Sequence, residues 1–307
     1  MDIFLQQIIN GLVQGSIYAL VALGYTMVYG IMGLINFAHG EVVMIGTLVT
    51  ITVAGSLINA GMPVMLAGLG GMSAAVLVCI ALGWGLERIA YRPLRNAPRL
   101  TPLITAIGMS IVLQNLAMII WGRNYMTFPS LLPKIDYEFG GANFTAVQVI
   151  IVLTSAVTMG GLLLLVYRTK LGMAMRATAQ NPAVASLMGV NINRVIAAAF
   201  VIGSALGAVA GVMVGSYYEI AHYQMGFMLG LKAFTAAVLG GIGNLGGAMA
   251  GGILLGLIEA LGAGYIGDLT GGFLGSHYQD IFAFIVLIGV LMFKPSGLFG
   301  EKTGDRA

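Results

Sequence analysis

The chain has 307 residues, of which 59% are hydrophobic and 8% are charged, and its formal net charge is +3. Soluble domains carry about 25% charged residues, so this composition excludes a soluble globular protein and indicates an integral membrane protein. The basic residues lie mainly in two short segments and the C-terminal tail, which does not indicate nucleic-acid binding. Cys79 is the only cysteine, which excludes an intrachain disulfide.

Apolar segments long enough to cross a bilayer, which takes roughly 20 residues, recur along the chain. The predicted spans are residues 8–32, two in 41–86 that are divided at 59–63, then 101–121, 146–166, 195–214, 225–243, 248–261 and a short run ending at Phe293. We therefore expect an all-α, polytopic integral membrane protein of about eight or nine transmembrane segments, some of them broken by glycine-rich stretches.

The distribution of positive charge predicts the orientation of the chain. Eleven of the fourteen Lys and Arg residues lie in a basic loop at 87–99, in residues 167–194 and in the tail from Lys294. Cytoplasmic loops carry an excess of Lys and Arg, so these segments and the C-terminus are predicted to be cytoplasmic. Residues 122–145 then form an external loop. The short acidic N-terminus lacks the basic region of a cleavable signal and is expected outside, with its first apolar segment retained.

Residues 167–194 carry several basic side chains and no acidic one, and they contain residues that typically begin and end a helix. Asn181 is suited to cap a helix start, Pro182 to the first helical position, and Gly189 to the left-handed conformation that ends a helix. These positions predict a short rigid helix over 182–188, after which Asn193 caps the next helix. The helix would dock another protein, unless the segment is an ordered loop with no partner. Its predicted surface consists of Val184, Leu187 and Met188 beside the small Ala183, Ala185 and Ser186.

Small residues at helical spacing predict close helix packing. Such stripes let two helix backbones approach closely in a membrane, and no chemistry is assigned to them. The two stripes are Gly203, Gly207, Gly211 and Gly215, and, near the N-terminus, Gly11, Gly15 and Ala19.

The sequence lacks the common patterns of an enzyme. No Gly-Lys-Ser or Gly-Lys-Thr occurs, so the chain has no P-loop and cannot hydrolyse ATP by that route. His39, His222 and His277 are far apart without metal-ligand spacing, and no Gly-x-Ser-x-Gly elbow is present. We therefore predict no catalytic residue, no metal site and no cofactor bound by this chain.

Two glycine-rich interruptions of apolar helices, at residues 30–41 and 240–247, are candidates for a functional site. Paired broken helices in the two halves of a transporter point to a site near the membrane midplane. Freed backbone groups are tolerated there only beside a cavity or within protein. The residues predicted to line a translocation path are Asn36, His39, Glu41, Gly240, Gly241, Gly243 and Asn244.

Alternatives stay open at these positions. Both interruptions could be ordinary turns at the membrane surface, which would leave His39 and Glu41 in water. Lys232 could line the path or extend to the outer surface from near a helix end, and the second is favoured because long basic side chains commonly reach for the interface. Glu259 has the same ambiguity, although it lies deeper in an apolar segment.

At residues 24–41 the sequence GYTMVYGIMGLINFAHGE closely resembles the LivH-type permease subunit of branched-chain amino-acid ABC importers. The resemblance extends to AYRPLR at 90–95, AIGMSI at 106–111, KAFTAAVLGGIG at 232–243 and KPSGLFG from Lys294. Together these motifs are specific to the family. They cover nearly the whole chain, so residues 1–307 are expected to form one permease domain. Residues 122–145 match least well.

The resemblance implies partners that composition could not indicate. Permeases of this family pair with a homologous LivM-type second permease, two cytoplasmic ATPase subunits that bind ATP and Mg²⁺, and a periplasmic or lipoprotein solute-binding protein. The implied location is the bacterial cytoplasmic (inner) membrane. Residues 167–194 then resemble the coupling loop that docks into an ATPase. The positions carried over to this role are Arg176, Asn181, Pro182, Ala185 and Gly189.

The function expected from this resemblance is ATP-driven import of leucine, isoleucine and valine. One alternative is the same type of permease for another small solute, such as urea, short-chain amides or other amino acids. Another is a self-sufficient secondary transporter or channel, although the spans lack a convincing acid–base relay for ion coupling. A membrane enzyme is the least favoured hypothesis.

Overall fold

The computed structural model describes residues 2–95, 97–98, 100–132, 135–270 and 279–300. Seven helices in this part of the chain are long and apolar enough to cross a membrane, and shorter apolar helices accompany them, which confirms the predicted all-α polytopic class. The helices are α1 (Asp2–Met32), α2 (His39–Asn59), α3 (Val64–Gly85), α4 (Leu100–Trp121), α5 (Ala146–Arg168), α6 (Lys170–Gln180), α7 (Pro182–Leu187), α8 (Ile192–Tyr218), α9 (Met225–Gly240), α10 (Leu245–Leu269) and α11 (Gln279–Phe293).

The helix ends define two opposite faces of the molecule. On one, which we call the basic face, Arg95 after α3 donates to Asn193 at the start of α8, and the backbone of Gly30 in α1 approaches Gly243 before α10. On the other, which we call the β face, Gln6 in α1 donates to the carbonyl of Asn143 at 2.9 Å. Arg99, Lys134 and His277, and the tail beyond residue 300, lie outside the described residues.

Residues 122–145 contain short strands as well as loop. Strand β1 (Met126–Thr127) pairs with β4 (Ile220–Ala221), and β2 (Asp136–Phe139) pairs with β3 (Ala142–Thr145), all antiparallel. Gly140 and Gly141, with φ of +60° and +81°, supply the two positive φ angles that a tight hairpin turn requires. The two ribbons cover the β face.

The prediction of a basic loop at 87–99 was wrong for its first half. The chain continues α3 as a π-helix over Leu86–Tyr91 and a 3₁₀ turn over Arg92–Leu94. The physical reason is Glu87, which is fully buried and accepts a two-pronged hydrogen bond from Arg92, at 3.0 Å and 3.2 Å, and another from Arg95. Helical turns bring these charges together, and charge-assisted pairing offsets the cost of burying the carboxylate.

Helix α1 is the centre of the bundle. A side-chain carbon placed on Gly15 would lie 2.7 Å from the Cα of Ile253 in α10, and one on Gly11 would lie 2.8 Å from the Cα of Leu257. The second stripe does the same for α8, where Gly211 lies against the backbone of α2. The predicted role of both stripes in helix packing is confirmed.

Helices α3, α4 and α5 form the periphery. Only 22%, 22% and 28% of the residues in their most apolar stretches are buried, whereas the corresponding share for α1 is 78%. Apolar side chains that a soluble protein would hide therefore face outwards here, where lipid or another membrane subunit is the natural neighbour.

Replacing Gly15 by Val should destabilise the bundle, because α10 backbone occupies the space that the new side chain needs. Overpacking of this kind costs about 1–3 kcal/mol. Gly160→Val in α5 is the matched control, since nothing lies within 4 Å of a carbon added there. Thermal unfolding of the purified chain in detergent should show a lower midpoint for the first variant only; equal midpoints would contradict the packing.

Candidate functional site

The first glycine-rich interruption breaks the chain between α1 and α2. Gly33 takes a φ of +65°, and its N–H still bonds the carbonyl of Tyr29 at 2.7 Å. Asn36 then organises the non-helical residues, because its side-chain oxygen accepts from the N–H of Ala38 at 3.1 Å and from the hydroxyl of Tyr91 at 2.8 Å. Asn36 is buried and its side-chain oxygen is satisfied by these two partners, so it stabilises the break.

Helix α2 begins at mid-depth in the helix bundle. Its first residue, His39, lies beside Gly207 at the centre of α8, and Glu41 contacts Ser110 at the centre of α4. The exposed fractions of His39 and Glu41 are 2% and 0%. The alternative of a surface turn with both side chains in water is therefore wrong for this interruption, because the chain folds back into the bundle before α2 starts.

The Glu41 carboxylate has two different sides. Oε1 accepts a hydrogen bond from Ser110 Oγ at 2.9 Å and another from Gln114 Nε2 at 2.8 Å. Oε2 has no hydrogen-bond partner among the described residues and lies against Gly226, in the first turn of α9. Close by, the rings of His39 and Tyr25 pack edge to face, with their centroids 5.0 Å apart.

Beside this carboxylate lies an open groove of about 610 Å³ between α1, α4 and α9. Ligand pockets typically measure about 300–1,000 Å³ and combine apolar walls with a few polar groups, as this groove does. Its lining residues are Tyr25, Phe37, Ile107, Ser110, Ile111, Gln114, Gln224, Phe227, Met228 and Leu231.

Sequence reasoning missed this lining, since none of the seven residues predicted to line a translocation path is among these ten. Ser110 and Gln114 are the informative pair, because residues four apart in a helix share one face. Two polar side chains on one face of an otherwise apolar span were the signal that could have identified α4 as a wall of the site.

The second interruption is covered by the C-terminal segment. Past the end of α9, the N–H groups of Leu298 and Phe299 bond the carbonyls of Leu239 and Gly240, each at 2.9 Å. Asn244 donates to the carbonyl of Phe299 at 3.0 Å. A helix end leaves carbonyls without intrahelical partners, and the returning chain satisfies them.

This packing differs from the predicted role of the second interruption in a translocation path. Gly240 and Asn244 contact the C-terminal segment, Gly241 lies against Gly300, and Gly243 faces the backbone of Gly30 on α1. None of these four predicted path residues lines the groove. The two interruptions meet near the basic face, but only the first reaches mid-depth.

Lys232 and Glu259 form an ion pair inside the bundle, with Nζ and Oε2 separated by 3.1 Å. Tyr18 in α1 donates to the same carboxylate oxygen at 2.7 Å, so the pair joins α1, α9 and α10. The expectation that Lys232 extends to the outer surface was wrong. A buried carboxylate within reach provides a stronger electrostatic partner than the distant interface, because charges attract more strongly where the dielectric is low.

The short helix predicted in residues 167–194 is present as α7 (Pro182–Leu187). Asn181 caps it by accepting from the N–H of Val184 at 3.1 Å, and Gly189 ends it with a φ of +86°. The next helix, α8, is capped by Asn191 and not by Asn193, since Asn191 accepts from the N–H of Arg194 at 3.1 Å.

The outer surface of α7 consists of Val184, Leu187 and Met188, whose exposed fractions are 52%, 86% and 81%. Ala185 was expected on this surface but is 4% exposed and lies on the inner side of the helix. Arg176, on the preceding helix α6, is exposed and its guanidinium lies 5.3 Å from the ring centroid of Tyr167.

Replacing Gly241 by Val should destabilise the end of α9, because φ at this position is +106° and the Gly300 backbone occupies the side-chain space. Strained backbone of this kind costs about 1–3 kcal/mol. Gly246→Ala is the control, since its added carbon would meet Asn244 at an ordinary 3.5 Å. Limited proteolysis should release the C-terminal segment faster in the Val variant; identical cleavage rates would exclude the contact.

Replacing Lys232 by Met should leave the Glu259 carboxylate without its cation and destabilise the chain by about 3 kcal/mol. The double variant Lys232→Met/Glu259→Gln should recover part of that loss, because residues in contact are coupled by about 0.5–3 kcal/mol. Thermal midpoints of the two single variants and the double variant complete the cycle. Strictly additive effects would mean that the pair is not coupled.

Comparison with known protein families identifies the class of protein. Residues 7–291 match the family described as branched-chain amino acid transport system / permease component, and the chain belongs to this family. It is therefore a multi-pass membrane transporter subunit and not an enzyme.

Individual relatives match this chain over nearly their whole length. The chain is 47% identical to the high-affinity branched-chain amino acid transport system permease protein BraD of Pseudomonas aeruginosa, over 99% of this chain and 98% of the relative. It is 45% identical to the corresponding LivH proteins of Salmonella typhimurium and Escherichia coli, over 99% of this chain and 97% of each relative. These names describe the relatives as permease proteins of a transport system, in agreement with the family description.

Proposed function

We propose that this chain is the membrane-spanning permease subunit of an ATP-driven ABC importer that moves leucine, isoleucine and valine into the cytoplasm. Separate subunits hydrolyse the ATP and hold its Mg²⁺. The observation that supports the proposal is the mid-depth groove of this chain, which combines apolar walls with a few polar groups in a member of the branched-chain amino acid permease family. Such a surface suits a solute with an aliphatic side chain and a polar backbone end.

A homologous LivM-type second permease is the proposed neighbour of the groove. Ile107, Ile111, Phe227 and Met228 line it, and each is about half exposed although apolar. A partner membrane subunit facing these side chains would enclose the groove, and the path for the solute would then run between the two subunits.

Two cytoplasmic ATPase subunits are the proposed partners of the basic face, with one docked on α7. The arginines and lysines of this face support a cytoplasmic location for it and for the C-terminus in the bacterial inner membrane. A periplasmic or lipoprotein solute-binding protein would then deliver the solute to the β face. The outer side chains of α7, Val184, Leu187 and Met188, supply an apolar knob for the ATPase groove.

The contacts of α8 suggest how a push on α7 would reach the groove. Four residues connect α7 to α8, and the N–H of Val190 in this connection bonds the carbonyl of Ala185 at 3.0 Å, which holds the connection against α7. Further along α8, a side-chain carbon placed on Gly207 would lie 3.3 Å from the His39 ring. Gly211 lies against the backbone of Val43. Tight packing of this kind transmits small displacements, so motion of α8 would shift the start of α2.

Other solutes remain the main alternative, and the groove bears on them. Urea offers no aliphatic group to its apolar walls and short amides only a small one, whereas leucine, isoleucine and valine each offer a branched side chain. A self-sufficient transporter would need to enclose its own path, and the groove of the single chain is open. Both observations favour the multi-subunit importer of branched-chain amino acids.

The docking role of α7 is tested by crosslinking. In a Cys79→Ser background, Leu187→Cys should crosslink to a partner in native membranes, because Leu187 is 86% exposed. Mass spectrometry should identify that partner as a P-loop ATPase. Ala185→Cys is the matched control on the same helix and should give little product, since Ala185 is 4% exposed.

Two results would count against the docking surface. One is the absence of any Leu187→Cys product in membranes that take up radiolabelled leucine. The other is an equal yield from the Ala185→Cys control, which would mean that the crosslinks do not report the exposed face of α7.

A further inference from the structure

The hydrogen-bond donors to the buried Glu41 carboxylate are the neutral side chains of Ser110 and Gln114. Its exposed fraction is 0%, and none of the ion pairs recorded for the described residues includes it. An isolated buried carboxylate is costly, so its retention calls for compensation or for a function. A function is the default explanation in a membrane-spanning protein, because ionisable residues inside membranes mark substrate and ion pathways.

Part of the compensation comes from α9. The first turn of this helix, at Gly226, lies directly against Oε2 of Glu41. Helix N-termini carry partial positive charge and unpaired N–H groups, which stabilise a nearby anion. The N-terminal end of α9 therefore offsets part of the cost of a negative charge on Glu41.

The other side of the carboxylate connects it to the groove. Ser110 and Gln114 both donate hydrogen bonds to Oε1, and both also line the groove. Their donors are used within this cluster, because Gln114 Nε2 also donates to Ser110 Oγ at 3.4 Å. One lone pair of the Ser110 hydroxyl and the Gln114 amide carbonyl remain for other partners. The part of the groove wall formed by Ser110 and Gln114 thus offers acceptors, with the Glu41 carboxylate directly behind it.

Resting on the proposed function, which takes this groove as the path, we infer that Ser110, Gln114 and Glu41 recognise the primary ammonium group of the amino-acid substrate. An ammonium group offers three donors and a positive charge, and no Lys or Arg is among the groove lining to oppose it. The apolar walls formed by Ile107, Ile111 and Phe227 take the aliphatic side chain. Ser110 and Gln114 touch the substrate, and Glu41 supplies the charge through them.

The charge is tested with a reporter in the groove. Ile111→Cys in the Cys79→Ser background is labelled, in the assembled transporter in membrane vesicles, with cationic and anionic methanethiosulfonates of similar size. The cationic reagent should react faster, and Glu41→Gln should lower the cation-to-anion rate ratio by roughly tenfold, as expected for one charge at short range. Glu138→Gln, which removes an exposed carboxylate of strand β2, is the control and should leave the ratio unchanged.

Recognition is tested with two fragments of leucine. The amine 3-methylbutylamine keeps the ammonium and the side chain, whereas 4-methylpentanoate keeps the carboxylate and the side chain. Only the amine should slow the labelling of Cys at position 111, and the protection should be lost in Glu41→Gln. Gln114→Leu, which retains the Glu41 charge, should also lose the protection, so the result does not depend on a single variant.

The outcomes separate this inference from the function on which it rests. A Cys that reacts with both reagents at a ratio unaffected by Glu41→Gln overturns the ammonium site, whatever the transporter imports. Equal protection by amine and carboxylate does the same. No reaction with either reagent overturns the groove as an aqueous path and the ammonium site with it, while leucine uptake by the same vesicles reports separately on transport.

Discussion

The requirement that backbone polar groups find partners inside the protein governs this structure, because a bilayer core offers none. The chain breaks its helices twice and meets the requirement in two ways. Between α1 and α2, the side chain of Asn36 accepts from Ala38 and Tyr91 and so organises the break from within. After α9, the returning backbone of Leu298 and Phe299 bonds the free carbonyls of the helix end. The first solution leaves room for chemistry at mid-depth, and the second fills its space with protein.

Close packing of the central helices determines where the polar groups can lie. Glycines let α1 approach α10 and let α8 approach α2 to backbone distance. The resulting core is dense enough to bury the Lys232–Glu259 pair and the Glu41 carboxylate away from lipid. Helix α4 stays at the edge of this core and touches it through Ser110 and Gln114. The gap between α4 and α9 is the groove, whose open side is the natural place for a second membrane subunit.

The same dense packing gives a mechanical connection between the basic face and the membrane centre. The short helix α7 leads into α8 through a four-residue connection that the Val190–Ala185 hydrogen bond holds against α7, and α8 is in contact with His39 and Val43 at the start of α2. Glu41 lies between these two residues on α2, and its carboxylate accepts from Ser110 and Gln114 in the groove wall. In the proposed importer, ATP-driven displacement of α7 therefore acts on the helix that carries the charge behind the substrate path.

The sequence by itself determined the membrane class, the order of the spans, the packing stripes and the capped helix at Asn181 and Pro182, because these depend on composition and on short-range spacing. It could not decide whether Glu41 is solvated, whether Lys232 reaches the surface, or on which side of α7 Ala185 lies. It also assigned Gly241 to a path, although the C-terminal segment covers it. Those answers depend on partners far away in the chain: Ser110 lies 69 residues from Glu41, and Glu259 lies 27 residues from Lys232. Local patterns carry no record of such contacts, and only the tertiary packing of helices brings the groups within hydrogen-bond distance.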